Sequence, residues 1–148
     1  MEKYFQDIDT NNWSARTIIL DIDGTITPDG GTFVDSSVAK KIQDLSSHNT
    51  IFLLSNKKLP ERNIALSQKL GISYLDTPFK KPHKKIIDSL PENLKNDIVV
   101  IGDKVTTDGI FAKNIGGTFI KVKRLTSTTD SLIVKLSYIV DGCFSFFL

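Results

Sequence analysis

Residues 17–25 read TIILDIDGT, an apolar run that ends in two aspartates and a glycine. The run is short and rich in β-branched residues, which is typical of a buried strand in a parallel sheet. Asp21, Asp23 and Gly24 then predict a turn at its carboxyl end. Since ligands of open α/β sheets bind beyond the carboxyl ends of strands, this stretch predicts a reaction centre or an ordinary turn.

Two carboxylates at one strand end repel each other unless a metal ion or a shared proton relieves the repulsion. Polar residues follow two other apolar runs in the same way: Ser55 and Asn56 after residues 50–54, and Asp103 and Asp108 after residues 97–101. Each could simply cap a turn or a helix. If the strands are parallel, however, these groups meet at one edge of the sheet.

Strand-like runs alternate with stretches of helical periodicity along the whole chain. Helices are expected from about Asp35, Pro60, Pro82 and Thr107. A last helix is expected from Asp130, with its inward face formed by Leu132, Ile133, Leu136 and Ile139. This order predicts an α/β fold, a doubly wound parallel sheet with helices on both faces.

The 148 residues predict one domain over 1–148, with a core at about 15–124 and an apolar C-terminal helix and tail at 130–148. The formal net charge of +2 is too small to imply nucleic-acid binding. Cys143, the single cysteine, indicates a reducing compartment and is interpreted as a buried apolar residue. The sequence gives no indication of an oligomeric state.

The chain ends carry no obvious targeting or spanning signal. Residues 1–12 are polar and acidic, unlike a secretory signal peptide. The apolar segment 132–148 is interrupted by charges and is short for a membrane span, which needs about 20 residues. A cytoplasmic location is therefore expected, with peripheral membrane contact left open.

The converging groups suit hydrolysis of a phosphomonoester. One carboxylate attacks phosphorus while a second acid protonates the leaving oxygen. Donors and cations hold the phosphoryl oxygens, and Lys81, just before a predicted helix, is one such cation. A hard divalent ion lets the anionic nucleophile approach the anionic phosphate.

The order of these motifs resembles that of the haloacid dehalogenase (HAD) superfamily of phosphohydrolases. The first motif, hhhhDxDGT, is met by residues 18–25; the second, Ser or Thr after an apolar strand, by Ser55. The third, Lys before a helix, is met by Lys81, and the fourth, GDxxxxD, by residues 102–108. The resemblance spans residues 17–108 and implies a HAD-like core.

The resemblance also implies a role for each motif residue. Asp21 is the nucleophile that forms an aspartyl-phosphate, and Asp23 is the general acid and then the base. The implied substrate-binding residues are Thr25, Ser55, Asn56 and Lys57, and Lys81 offsets charge on Asp21 and the phosphate. The implied Mg²⁺ ligands are Asp21, the main-chain carbonyl of Asp23, and Asp103, with Asp108 nearby.

The motif spacing leaves no room for a folded cap, so an open catalytic edge and a large phosphorylated substrate are expected. The stretches at 55–58, 61–62, 70–72, 81–82 and 102–108, with Asn114 and Gly116, are similar to one capless branch of the superfamily. This branch comprises the bacterial YqeG-like and the mitochondrial phosphatidylglycerophosphate phosphatases. The resemblance implies phosphatidylglycerophosphate as the substrate.

An anionic lipid is compatible with the basic residues near the motifs. They are Lys57, Lys58, Arg62, Lys80, Lys81, Lys84, Lys85, Lys121, Lys123 and Arg124. They could face a bilayer or be ordinary solvated side chains. The apolar tail, with Phe144, Phe146, Phe147 and Leu148, could insert at a lipid interface or cover the sheet edge, and the second is favoured.

Three other functions stay open. The first is a capless phosphatase of a nucleic-acid 3′-phosphate or a soluble sugar phosphate. The second is a receiver-type signalling domain, disfavoured because residues 54–56 lack the phospho-accepting Asp. The third is a binding protein with a vestigial site, disfavoured because all the required residues are present.

Overall fold

The chain folds around a five-stranded sheet in this computed structural model, which describes residues 1–128 and 130–145. The strands are β1 (Thr17–Asp21), β2 (Thr50–Leu54), β3 (Ser73–Tyr74), β4 (Ile98–Gly102) and β5 (Thr118–Lys121). They lie in the order β3-β2-β1-β4-β5, and every neighbouring pair is parallel. The chain passes from β1 through β2 to β3 on one side and then crosses to β4 and β5 on the other, so the strand order reverses at β1 and the crevice above its carboxyl end is the predicted ligand site.

Within the described residues, four α-helices connect or flank these strands: α1 (Ser36–Ser46), α2 (Pro60–Leu70), α3 (Ile110–Ile115) and α4 (Leu132–Ser145). Shorter 3₁₀ segments lie at Phe5–Asp7, Lys84–Ser89 and Glu92–Leu94. Asp35 caps α1 by accepting a hydrogen bond from the Ser37 amide at 3.1 Å. Gly71 ends α2 in the left-handed conformation that glycine adopts without strain.

Helices cover both faces of the sheet and bury two separate apolar cores. Alternation along β1 supplies both cores: Ile18 and Leu20 enter the one beneath α1 and α2, whereas Ile19 enters the one beneath α3. All five residues of β1 are buried. The predicted α/β fold with a doubly wound parallel sheet is therefore confirmed.

Two predicted helices have a different form. The segment after Pro82 is a 3₁₀ helix, Lys84–Ser89, that ends before Leu90-Pro91, where the proline disfavours helical geometry in the preceding residue. The helix expected from Thr107 begins instead as a π-helical turn at Val105–Gly109 and becomes α-helical at Ile110. Such π-turns are frequent at functional sites.

The expectation for the last helix is wrong in its orientation. The four residues predicted to point inward, Leu132, Ile133, Leu136 and Ile139, are all exposed. Ser131 rather than Asp130 caps the helix, through a hydrogen bond from the Val134 amide. Cys143, predicted to be buried, is exposed too, and residues 146–148 of the predicted tail lie outside the described residues.

Candidate active site

A cleft of about 470 Å³ opens at the carboxyl edge of the sheet, above the ends of β1, β2 and β4. The sequence-predicted residues that line it are Asp21, Asp23, Ser55, Asn56, Lys57, Lys81 and Asp103. Thr25 and Asp108 lie buried beside these residues. Parallel pairing of the three strands brings together groups that lie up to 87 residues apart in the chain, from Asp21 to Asp108.

Lys81 stands at the centre of this site. Its Nζ lies 2.7 Å from Asp21 Oδ1 and 2.5 Å from Asp108 Oδ1, and all three side chains are almost fully buried. Burial disfavours the charged amine, but the carboxylates of Asp108 and Asp21 outweigh burial and raise the pKa of Lys81. Lys81 is therefore a fixed positive charge beside Asp21.

Asn56 holds the main chain of Lys81 in place. Its side-chain oxygen accepts a hydrogen bond from the Lys81 amide at 2.6 Å, and its side-chain nitrogen donates to the Lys81 carbonyl at 2.9 Å. The loop after β2 is thereby tied to the loop that carries Lys81. The Asn56 side chain, which the resemblance assigns to phosphate binding, is used here to position the central cation.

Three buried carboxylates, Asp21, Asp103 and Asp108, have ligand oxygens that all lie within 4.8 Å of one another. Thr25 Oγ1 links two of them, at 3.0 Å from Asp21 Oδ2 and 3.5 Å from Asp103 Oδ1. Burial and then the charge of Asp21 raise the pKa of both Asp103 and Asp108. With Lys81, the ionised cluster has a formal charge of −2, which a divalent cation would balance.

Asp23 is not part of this cluster and forms an ion pair with Arg62 of α2. The two Arg62 terminal nitrogens lie 2.8 Å from the two Asp23 oxygens, and the side chains are only 7% and 12% exposed. Ser55 Oγ and the Gly30 amide also donate to Asp23, each at 2.7 Å. Burial alone would raise the pKa of Asp23, but these hydrogen bonds outweigh it, so the pKa is lowered and Asp23 is ionised.

Helix α4 closes one side of the cleft with polar side chains. Tyr138 donates a hydrogen bond to Asp103 Oδ2, and its ring is stacked against the Arg124 guanidinium at 3.7 Å. Asp141, almost fully buried, accepts from the Val105 and Thr106 amides at 3.1 and 2.7 Å. These amides begin the π-helical turn, so Asp141 satisfies donors that the turn leaves free.

Gly24 makes room for Tyr138. Its φ of +82° lies in the left-handed region, and a Cβ there would overlap the Asp103 carboxylate and the Tyr138 hydroxyl. Glycine is required on both counts, because an L side chain would strain the backbone and displace α4. The turn after β1 and the docking of α4 therefore depend on each other.

We expect Gly24→Ala to lower the free energy of unfolding by about 3 kcal/mol, through a left-handed penalty of roughly 1–2 kcal/mol plus the overlap. Gly30→Ala is the matched control, since Gly30 has φ +71° and nothing within 4 Å of its Cβ position. Gly30→Ala should lower the free energy of unfolding by the backbone penalty alone. Urea unfolding of both variants measures the difference, and equal losses would contradict the contact with α4.

Three site residues were not singled out from the sequence: Arg62 as the partner of Asp23, and Tyr138 and Asp141 on α4. A buried role for Asp141 could have been suspected, because it interrupts the apolar segment 132–148. Lys57, predicted to bind substrate, lines the cleft and pairs with Asp29 at 2.6 Å. Among the predicted basic residues, Lys58 instead donates to the carbonyls of Thr77 and Phe79.

The parallel sheet and the acidic cleft at its carboxyl edge define a HAD-like phosphatase core. No cap domain covers the cleft within residues 1–128 and 130–145, as predicted. Comparison with family models matches residues 3–125 to the family described as mitochondrial PGP phosphatase. The chain belongs to this family.

The matched region includes every motif residue and ends before α4. Neither the curated proteins nor the solved structures include a match to this chain. The family consists of phosphatases, which supports the predicted enzyme class and its place in phospholipid metabolism. Its description as mitochondrial bears on the compartment, and the cytoplasmic location stays a prediction.

Proposed function

We propose that the chain is a Mg²⁺-dependent phosphomonoester hydrolase that removes phosphate from phosphatidylglycerophosphate through an aspartyl-phosphate on Asp21. The observation that carries the proposal is the buried cluster of Asp21, Asp103, Asp108 and Lys81 at the base of an open cleft. Membership of a PGP phosphatase family supports the lipid substrate.

The donor set fits Mg²⁺. The ligands Asp21, Asp103 and Asp108 offer only oxygen atoms, which hard cations prefer, and they are close enough to share one ion. The raised pKa values of Asp103 and Asp108 also indicate crowded negative charge that a cation would relieve. When bound, Mg²⁺ would neutralise phosphate charge and orient the phosphoryl group.

Asp21 attacks phosphorus with one carboxylate oxygen, and the bond to the leaving oxygen breaks. Lys81 holds the Asp21 side chain in place and offsets negative charge beside it, because its Nζ is fixed between Asp21 and Asp108. In the second half-reaction, water attacks phosphorus and frees Asp21. Thr25 holds the remaining Asp21 oxygen through its hydroxyl.

Asp23 serves as the proton carrier for both half-reactions. Its ionised form, bound to Arg62 and Ser55, suits the base that takes a proton from water. Acting first as an acid requires that Asp23 take up a proton and loosen its bonds to Arg62. An incoming phosphate dianion competes for the same guanidinium and would promote that change.

The open cleft also favours a headgroup presented by a membrane over a small metabolite. An uncovered site excludes water from small substrates poorly, but it admits a phosphate on a large carrier. Lys57, Lys80 and Lys104 line the cleft around the buried cluster and complement an anionic headgroup.

A substrate panel tests the proposal directly. We expect Mg²⁺-dependent turnover of phosphatidylglycerophosphate in mixed micelles. Its kcat/KM should be at least about 100-fold above that for p-nitrophenyl phosphate, because contacts with the non-reacting parts of the lipid also stabilise the transition state. A 3′-phosphorylated oligonucleotide and a sugar phosphate are the controls. If either control is the preferred substrate, the assignment of a lipid substrate is wrong. Activity that EDTA leaves unchanged would contradict the proposed Mg²⁺ dependence.

A further inference from the structure

Helix α4 turns its polar side inward and its apolar side outward, the reverse of the usual arrangement on a protein surface. The inward side comprises Ser137, Tyr138 and Asp141, all bonded to the site. The outward residues Leu132, Ile133, Leu136, Ile139, Val140 and Phe144 are between 41% and 80% exposed. They recur at helical spacing, so they form one continuous face, called here the α4 apolar face.

The α4 apolar face adjoins the mouth of the cleft. Ile133 and Tyr138 both line the cleft together with Asp21 and Asp103. The orientation of α4 is fixed, because Asp141 and Tyr138 hydrogen-bond residues that follow β4, and the Tyr138 hydroxyl also lies against Gly24, after β1. The exposed apolar side chains are therefore held beside the reacting groups.

We propose that the α4 apolar face is a docking surface for the interface of an anionic phospholipid membrane, placing the cleft over lipid headgroups. This inference rests on the proposed function, which gives a lipid substrate, and on the observed orientation of α4. An anionic lipid interface matches an apolar face next to a cleft whose lining includes Lys57, Lys80 and Lys104.

Length and charge distinguish this occupant from others. At 1.5 Å per residue, the 14 residues of α4 extend about 21 Å, and no helix in the described ranges is long and apolar enough to cross a membrane. A helix of this kind lies in the plane of the interface. Lys80, exposed in the cleft lining, and Lys135, exposed on α4, would repel a second copy but attract anionic headgroups.

The single cysteine provides a site-specific reporter on this surface. Cys143 is exposed and falls on the same side of α4 as Leu136, Ile139 and Val140. A polarity-sensitive fluorophore on Cys143 should shift to the blue with vesicles of phosphatidylcholine and phosphatidylglycerol in equal parts, and less with phosphatidylcholine alone. The control carries the fluorophore on α2, in the variant Cys143→Ser/Ile64→Cys, and should not shift.

A second measurement uses Leu136→Gln/Ile139→Gln, which removes apolar surface from exposed positions. Vesicle affinity and kcat/KM on vesicle-borne phosphatidylglycerophosphate should each fall at least about tenfold. Turnover of p-nitrophenyl phosphate should stay within about twofold, since the variant leaves the cleft intact. Ile64→Gln, at an exposed apolar position on α2, should change neither vesicle affinity nor kcat/KM on the lipid.

The outcomes separate this inference from the proposed function. No blue shift with either vesicle, or a shift that grows with protein concentration without vesicles, would overturn the membrane surface; the latter result would indicate a second copy. Insertion of the label without lipid turnover would retain the surface and remove the substrate assignment. Lipid turnover without insertion of the label would retain the substrate assignment and remove the membrane surface.

Discussion

Asp21→Asn is expected to lower kcat on every phosphomonoester by about four to six orders of magnitude, the scale seen when a nucleophile is removed from a cooperating set. An amide cannot attack phosphorus as a carboxylate does, and the neighbouring carboxylates are held by other partners, Asp103 by Tyr138 and Asp108 by Lys81. Steady-state kinetics with saturating Mg²⁺ measure the loss.

The fold should survive this substitution, since Asn is close in size, its one side-chain oxygen can still accept a hydrogen bond from Lys81, and its amide group can donate to the Thr25 hydroxyl oxygen. Asp29→Asn is the control, because Asp29 lines the same cleft and pairs with Lys57 without touching the buried cluster. We expect it to stay within about tenfold of the unmutated rate. Turnover by Asp21→Asn near that rate would remove Asp21 as the nucleophile.

Asp103→Asn is expected to remove the response to Mg²⁺ and to lower kcat by about 10²–10³-fold, since one ligand is lost. It should also stabilise the metal-free protein by on the order of 1–3 kcal/mol. Burial, with the charges of Asp21 and Asp108, raises the pKa of Asp103 to about 8. Because the folded pKa lies above the unfolded one, ionisation of Asp103 costs stability as pH rises.

The direction of this pKa shift determines how the effect of Asp103→Asn on stability changes with pH. The stabilisation by Asp103→Asn should be absent in acid, should grow as pH rises from the ordinary Asp range, and should be complete above the raised pKa of about 8. Mg²⁺ should stabilise the unmutated chain most over the same alkaline range, because Mg²⁺ then no longer competes with a proton for Asp103. Thermal unfolding with Mg²⁺ or EDTA across pH tests both expectations, and an equal Mg²⁺ response in the variant would contradict them.

The sheet and the convergence of its acidic ends could be predicted because both depend on local patterns. A buried parallel strand such as residues 17–21 is recognisable from its continuous apolar run. Once the strands are parallel, Asp21 and Asp103 must end at the same edge. The meeting of Asp21, Asp103, Asp108 and Lys81 follows from topology more than from side-chain detail.

The orientation of α4 could not be predicted from its pattern. Helical periodicity shows which residues share a face, but not which face meets the fold. Burial of apolar area would normally decide, and it favours Leu132 and Leu136 pointing inward. Asp141 reverses this choice, because it binds the free amides of a π-helical turn that the sequence did not predict.

The partner of Asp23 was missed for a related reason. Arg62 is one of several basic residues after the second motif, and only the position of α2 aims it at Asp23. Lys57 and Lys58, close neighbours in sequence, bind Asp29 and the Thr77 carbonyl instead. A single sequence does not distinguish these three cations.

The chemical form of Asp21 during turnover shows whether this residue is the nucleophile. The enzyme is quenched in acid while it hydrolyses phosphatidylglycerophosphate and reduced with borohydride, which converts an aspartyl-phosphate to homoserine, and the peptide covering residues 17–25 is sequenced by mass spectrometry. We expect homoserine at position 21 and unmodified Asp23. Active enzyme with no modification at Asp21, or with modification at Asp23 instead, would contradict this expectation.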